Sequence, residues 1–307
     1  MTRTVIITGT AGFLGRYTAR EFAREGWRVI GLDDVAPENV SLGTGTTFER
    51  MKLPHSRFSE LLREAQPDAC VHCAGRASVP LSMEDPASDF RDNTVLTFEL
   101  LEALRVHAPR CRFLLLSSAA VYGNPAHLPV AEADAIAPLS PYGFHKRQCE
   151  LLCDEFARIF NLPTIAVRIF SAYGPGLRRQ VMWDICERAL TQDVLQLRGT
   201  GAESRDFIHA RDIARALTLL AHTGPASGDI YNLASGSEIT VAALAQQLVT
   251  ALGSPARVVF DGTVRSGDPR NWRADVSRLA ALGFTPSVPL DRGLQDVAVW
   301  AAKELVT

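Results

Sequence analysis

The sequence predicts an α/β fold, a doubly wound parallel sheet with a smaller mixed α/β domain towards the C-terminal end. Three observations lead there. Short β-rich apolar runs alternate with amphipathic helical stretches from Thr4 to Phe170, the pattern of βαβ units rather than of hairpins. The first run passes through a glycine turn into a helix and on to a second strand that ends in an acid. Past Tyr173 the alternation loosens, and glycine- and proline-rich turns separate helices expected near 180–191, 210–222, 240–252 and 290–303.

In order, Thr4-Val5-Ile6-Ile7-Thr8 is the first strand and Gly9-Thr10-Ala11-Gly12-Phe13-Leu14-Gly15 is its turn. A helix from Phe13 to Glu25 follows, then a strand over Arg28-Val29-Ile30-Gly31-Leu32 with Asp33 at its end. Small residues let the backbone approach a pyrophosphate, and the helix N-terminus presents N–H groups and a favourable dipole. Asp33 is placed to accept the ribose hydroxyls of an adenosine and to repel a 2′-phosphate, which favours NAD over NADP. The glycine spacing is G-x2-G-x2-G rather than G-x-G-x2-G. Residues 35–56 read as a loop with one short strand, and Phe58 to Glu64 as a short helix.

Ala69 to Ala74 is a buried strand ending in Gly75 and Arg76, where a parallel sheet presents its ligand edge. Its His72 reads as a strand-end histidine satisfied by backbone partners. Pro86 to His107 reads as one long helix carrying Asn93, with Val95, Phe98, Leu101 and Leu104 at apolar positions. Phe113-Leu114-Leu115-Leu116 delivers Ser117 and Ser118 to a strand end. A nucleophile elbow there lacks its G-x-S-x-G signature. The next helix runs from Pro141 to Phe160 and the next strand from Thr164 to Phe170. Tyr142 and Lys146 lie four apart on that helix and are therefore neighbours. An ammonium beside a phenol stabilises the phenolate, which makes Tyr142 a candidate acid/base.

With 307 residues, 47% of them hydrophobic and 21% charged, the chain can bury a full core in one large domain or two interleaved ones. A net charge of -2 gives no general drive toward nucleic acid or an anionic membrane, so a bound polyanion must be small and locally held. No apolar run approaches the ~20 residues of a membrane span, and the N-terminus enters a strand without a signal-peptide layout. The expectation is a cytoplasmic protein with no membrane partner. Cys70-x2-Cys73 has no second Cys/His pair at ligand spacing, so no metal is expected and the cysteines read as buried.

The ordered set of these motifs resembles the extended short-chain dehydrogenase/reductase family, in its nucleotide-sugar epimerase/dehydratase branch with UDP-glucose 4-epimerase-like members. The resemblance runs from Thr8-Gly9 through His72-Cys73-Ala74-Gly75, Ser117-Ser118-Ala119-Ala120-Val121-Tyr122-Gly123, Arg168-Ile169-Phe170-Ser171-Ala172-Tyr173-Gly174-Pro175, Arg205-Asp206-Phe207-Ile208-His209 and Tyr231-Asn232-Leu233 to Arg265-Ser266-Gly267-Asp268-Pro269 and the closing helix. It implies a Rossmann domain that binds NAD and a smaller domain that binds a nucleotide-sugar, a UDP-sugar first among them. Ser118, Tyr142 and Lys146 match the catalytic positions. Gly9, Gly12, Phe13, Leu14, Gly15, Asp33, Asp34, Ala74, Gly75, Asn93 and Ser117, with Tyr142 and Lys146, match cofactor positions. Val79, Ser82, Ser118, Ser171, Arg179, Arg205, Arg265 and Asp268 match substrate positions, Arg205 and Arg265 as diphosphate clamps and Asp268 near the nucleoside. Ser171 stands where the family often has asparagine. The usual adenine-contacting Gly-Asp-Ile/Leu segment has no match between 46 and 56, where Leu53 is the nearest residue.

Within that family, oxidation of the sugar at C4 is a shared first step. Dehydration then needs an added acid and base just after the catalytic hydroxyl, and decarboxylases tend to keep a glutamate there. Here Ala119 and Ala120 occupy those positions, and neither moves a proton. The expected activity is therefore NAD-dependent 4-epimerisation through a transient 4-keto sugar. The alternatives are a nucleotide-linked 4-keto-sugar reductase, a dehydratase or decarboxylase, and a redox sensor that has lost the chemistry. Arg178 and Arg179 leave open a carboxylated sugar or a surface role. The expected organisation is an NAD-binding domain over 1–172, regained at 209–235, with 173–208 and 236–307 binding the nucleotide-sugar. The resemblance also implies a homodimer through the helices starting near Pro86 and Pro141, with Phe98, Leu101, Leu152 and Phe156 as interface residues unless core packing explains them.

Overall fold

A computed structural model describes residues 2–36, 42, 45–263 and 269–306. Five successive β-branched residues, all buried, form β1 (Thr4–Thr8), as suits a strand covered on both faces. The glycine turn leads into α1 (Phe13–Arg24), then β2 (Arg28–Asp33) and β3 (Thr46–Arg50). Next come α2 (Ser56–Ala65), β4 (Ala69–His72), α3 (Val79–Glu84), α4 (Pro86–Phe90), α5 (Leu96–His107), β5 (Arg112–Ser118), α6 (Pro141–Phe160) and β6 (Thr164–Ile169). The chain continues through β7 (Ser171–Tyr173), α7 (Gln180–Ala189), β8 (Val194–Leu197), β9 (Ser204–His209), α8 (Ala210–His222) and β10 (Ser227–Leu233). It closes with β11 (Glu238–Thr240), α9 (Val241–Ala251), β12 (Arg257–Phe260), α10 (Ser277–Ala280) and α11 (Leu290–Val306).

Seven strands form one parallel sheet in the order β10-β6-β5-β4-β1-β2-β3. The order reverses between β1 and β4, and in such sheets ligands bind outside the carboxyl ends at that point. Alternate side chains of each strand serve opposite faces. Val5 and Ile7 pack with Phe22, Ile213 and Leu217 on the α1/α8 side. Ile6 packs with Leu61, Leu101 and Phe156 on the α2/α5/α6 side. A separate cluster of Ile185, Leu195, Leu244, Leu248 and Ala298 joins α7, α9 and α11. Beside it lie the small sheets β11-β9-β7 and β12-β8. Among the described residues, no helix is long and apolar enough to cross a membrane.

Three expectations need correction. The helix expected over Pro86 to His107 is not uniform, because a π-helical turn at Arg91–Val95 separates α4 from α5. Within it the Asn93 carbonyl accepts the Thr97 hydroxyl at 2.7 Å. Such turns carry an extra residue and often sit at functional positions. His72 is satisfied by a side chain and not by backbone: its Nδ1 pairs with Thr8 Oγ1 at 2.8 Å. Of the proposed interface residues, Leu101 and Phe156 belong to the subunit core and Leu152 packs against it, whereas Phe98 is 43% exposed. Arg265 and Asp268 lie outside the described residues.

Candidate active site

The β1–α1 turn is built around close backbone approach. Gly9 adopts a φ of +67°, and a Cβ there would lie 2.6 Å from Ala74 N. A Cβ on Gly15 would lie 2.1 Å from Gly9 O. Larger residues would therefore force the turn and the β4 end apart. Gly12 starts α1 and supplies no side-chain cap, so the first-turn amides that include Phe13 and Leu14 are left for a ligand. At the end of β2, Asp33 Oδ2 accepts Ala11 N–H at 2.8 Å and its Oδ1 accepts Asp34 N–H at 2.9 Å. The carboxylate is thus held beside the turn. Asp34 is exposed, and its carbonyl accepts Arg50 Nε.

Across the β1/β4 switch point, Ala74 N–H donates to Thr8 Oγ1 at 3.2 Å. A Cβ on Gly75 would lie 2.8 Å from Asn93 Oδ1. That oxygen is buried and unpartnered among the described residues, while Asn93 Nδ2 donates to Asp89 O. The glycine cradle, the braced Asp33 and the orphaned Asn93 oxygen together fit a dinucleotide. Leu53 packs towards the α2/α5 side and lines a groove of about 300 Å3 with Pro54, Phe58 and Leu100.

Ser118 ends β5, half-buried, and its Oγ accepts Ala120 N–H at 3.1 Å as the cap of the 3-10 turn Ala119–Val121. The start of α6 packs directly on that turn. It can do so because residue 143 is glycine: a Cβ there would lie 2.7 Å from Ala120 O. Ser140 caps α6 by accepting Gly143 N–H. Tyr142 and Lys146 are both buried, with Lys146 Nζ 5.9 Å from the Tyr142 ring centroid. The first turns of α6, which carry Tyr142 and Lys146, thus pack on the turn that follows Ser118. Ala119 and Ala120 are buried and bring no titratable group.

Two residues assigned by resemblance are placed otherwise. Ser82 is fully buried, its hydroxyl donating to Val79 O at 2.7 Å and accepting Tyr142 N–H at 3.2 Å. It braces the tyrosine's own backbone. The Ser117 hydroxyl donates to Glu150 Oε1 at 2.7 Å, inside the protein. Glu150 in turn meets Arg168, a buried pair that a reading of strand ends missed; its signal is an acid eight residues after Tyr142.

On the far side, Val79 starts α3 and is half-buried. Ser171 opens β7 opposite Phe207 of β9. Arg205 of β9 donates to Ser204 O and Arg270 O, with its guanidinium 5.4 Å from the Trp272 ring centroid. The adjacent Asp206 is buried and accepts Ser235 N–H, Gly236 N–H and Ala274 N–H; burial pushes its carboxyl up. A depression of about 490 Å3, lined by Asn124, His127, Leu128, Arg270 and Asn271, opens beside this arginine's anchor rather than over Tyr142. Arg179 Nη1 donates to Ala77 O at 3.2 Å, bridging α7's start to the loop after β4. Arg178 pairs with Glu304 and is mostly exposed.

Residues 5–234 match the NAD dependent epimerase/dehydratase family. The UDP-glucose 4-epimerase of Mycolicibacterium smegmatis is 30% identical over 94% of this chain and 95% of its own. The dTDP-glucose 4,6-dehydratase 1 of Escherichia coli is 27% identical over 96% and 92%. The solved structure of UDP-glucuronic acid 4-epimerase from Bacillus cereus, in complex with UDP-glucuronic acid and NAD, superposes with a TM-score of 0.89 at 25% identity, over 98% of this chain and 99% of that one. Glycine turn, strand-end acid, serine, and tyrosine–lysine pair stand in the order that such a fold requires, and the chain belongs to the NAD dependent epimerase/dehydratase family.

Proposed function

We propose that this protein is an NAD-dependent nucleotide-sugar 4-epimerase acting through a transient 4-keto sugar, with UDP-sugars as first candidates. The observation that carries the reading is the buried Tyr142–Lys146 face packed on the turn after Ser118, with alanines at 119 and 120. Tyr142 acts as the base that takes the C4 hydroxyl proton. Lys146, one turn along the same face, would hold the nicotinamide ribose, and Ser118 would hydrogen-bond the 4-oxygen. NAD, when bound, supplies the acceptor that takes up hydride from C4 and returns it to the opposite face. Since Ala119 and Ala120 cannot move protons, one proton shuttle remains, enough for a reversible oxidation at one carbon. Relatives named as 4-epimerases support this; a dehydratase is also among the relatives, but by resemblance that reaction needs an acid and a base where this chain has Ala119 and Ala120.

The same reading assigns the NAD half to 1–172 with 209–235 and the nucleotide-sugar half to 173–208 with 236–307. Arg205 belongs to the second half, as do Arg265 and Asp268 by resemblance, and Ser171 falls within the first. Six free thiols agree with a reducing, cytoplasmic setting. A second copy is proposed to cover the apolar stripes of α5 and α6. Proton NMR of the purified protein with UDP-, dTDP-, GDP- and CDP-sugars and no added cofactor tests the activity. The expected result is a mixture of two C4 epimers. A requirement for stoichiometric NADH or NADPH would overturn it in favour of a ketoreductase. Tyr142→Phe should lower turnover by about 100-fold or more while the protein still carries its nucleotide; a redox sensor would be little affected.

A further inference from the structure

Tyr142, Lys146 and Glu150 follow one another at intervals of four on α6 and so share one stripe of the helix. All three are buried, Glu150 to 2% exposure. The Glu150 carboxylate receives four donors. Its Oε1 accepts Ser117 Oγ at 2.7 Å and Arg168 Nε at 2.9 Å. Its Oε2 accepts Arg168 Nη2 at 2.8 Å and Arg147 Nη1 at 3.1 Å. Arg168 lies opposite Ser117 in the β5–β6 register and opposite Asn232 in the β6–β10 register. Its Nη1 donates to Tyr122 Oη at 2.7 Å and to Glu132 O at 3.0 Å, and Tyr122 Oη donates to Asn232 Oδ1 at 2.7 Å. One carboxylate thereby ties α6 to the strand end whose next residue is Ser118.

A buried ion pair is a poor source of stability, because desolvation of both charges offsets their attraction. What it supplies is fixed geometry and fixed charge. We propose that Glu150 is a positioning residue of the epimerase site: with Arg168 it registers α6 against the end of β5, and it balances the positive charge acting on the Tyr142 phenol. This rests on Tyr142 being the proton shuttle. Glu150 and Tyr142 stand about 12 Å apart along the helix. At that separation in a protein interior, one unit charge moves a pKa by about half a unit to one unit.

The signs differ between the partners. Without the Glu150 anion, Arg168, Arg147 and Lys146 act on the phenol uncompensated and favour the phenolate. Without Arg168, Glu150 faces only Arg147 and Ser117 and disfavours it. Nearer the phenol than Glu150 along α6, His145 Nδ1 pairs with the buried Asp89 carboxylate at 2.6 Å, a pair that both variants leave in place; the thiols, phenol and ring that remain around the stripe are held neutral near pH 7 by burial. Burial pushes the thiols of Cys73, Cys149 and Cys153 up, pushes Tyr122 up to about 12 and pushes His72 down to about 3. Glu132, whose Oε1 accepts Asn232 N–H at 2.8 Å, lies on the far side of Arg168.

The test is ultraviolet difference titration of the Tyr142 phenol, each protein against its own Tyr142→Phe counterpart, beside the pH profile of kcat. Glu150→Gln, nearly isosteric, should titrate lower by about half a unit to one unit, and Arg168→Gln higher by a similar amount. The double variant should return to within roughly 0.3 units of the wild type. Each single variant should lose about tenfold in kcat with KM little changed. A purely structural pair would lower the melting temperature of both variants and leave the phenol where it was. That result, or shifts of the same sign in the two single variants, would overturn the proposal. If Arg168→Gln does not fold, Glu150→Gln and the double variant decide it by moving and restoring the midpoint. Absence of epimerisation by the wild type would sink the functional reading, while the phenol titration would still report on the pair.

Discussion

Ser82 and Ser140 each accept an N–H from the first turn of α6, but only Ser82 holds the amide of Tyr142 itself. Replacing either by alanine leaves a helix N–H without its partner and should cost about 1 kcal/mol, seen as a shift of the denaturant midpoint. Ser82→Ala should in addition lower kcat by several-fold, because the tyrosine loses its backbone anchor, whereas Ser140→Ala should lower it less. Equal kcat for both would remove the special role of Ser82. At His72 and His209 the prediction concerns pH. Burial pushes their pKa values down to about 3 and about 4, from 6.5. Between pH 6.5 and 4 the unfolded chain binds protons that the folded chain does not, so stability is full above that window and falls as pH drops through it. Each histidine adds about 1.4 kcal/mol per pH unit to the slope. Calorimetric melting across this range checks it; a flat melting temperature from pH 7 to 4 would contradict the assignment of both rings as neutral.

At the scale of elements, two helix starts carry the site, and a glycine decides each. A methyl on Gly15 meets Gly9 O, and one on Gly143 meets Ala120 O and the Pro138 side chain, at 2.9 Å in the last case. Backbone oxygens cannot rotate away. Gly15→Ala should therefore open the dinucleotide turn, and the purified variant should carry little bound nucleotide. Gly143→Ala should fold with a loss of about 1–3 kcal/mol from overpacking. It should also push Tyr142 away from Ser118 and lower kcat by about 100-fold, with nucleotide content retained. Retention of activity in Gly143→Ala would show that the α6 start has more play than its contacts imply. The π turn belongs to this scale too. Its extra residue reorients the chain at Asn93, and no spacing of apolar residues announces it, because the apolar stripe resumes after the turn.

For the whole molecule, α5 and α6 pack on one another, and the π turn before α5 is tied to α6 by Thr94 Oγ1, which donates to Gln148 Oε1 at 3.1 Å. Val95 at the end of the π turn, Phe98 and Val106 on α5, and Phe144, Leu151 and Ile159 on α6 are exposed by 37–68%. Two helices with such a stripe can meet their own copy about a two-fold axis, burying the same patch on both sides. Phe98→Glu combined with Leu151→Glu should convert a dimer to a monomer in sedimentation equilibrium. A monomeric wild type, or an unchanged mass in the variant, would refute this. Arg179, just before α7, also reaches back over 102 residues to donate to Ala77 O in the loop after β4. Neither its charge nor its neighbours in sequence indicate that contact.

By itself the sequence determined what short spacings encode. Strand, glycine turn, helix and acid lie within some thirty residues and leave few other ways to fold. Tyr142 and Lys146 are neighbours on any helix that contains them. The doubly wound parallel sheet and the place of Ser118 at a strand end follow from the same local rules. The tertiary structure alone decided which polar groups meet across elements. Ser82 reaches Tyr142 over 60 residues, Ser117 reaches Glu150 over 33, and Arg168 reaches Glu150 over 18. At such separations the pairing depends on helix rotation and strand register, which are set when the two faces of the sheet close and every buried donor must find an acceptor. For that reason the internal partners of the Ser82 and Ser117 hydroxyls, and the four donors gathered on Glu150, were not legible from the sequence.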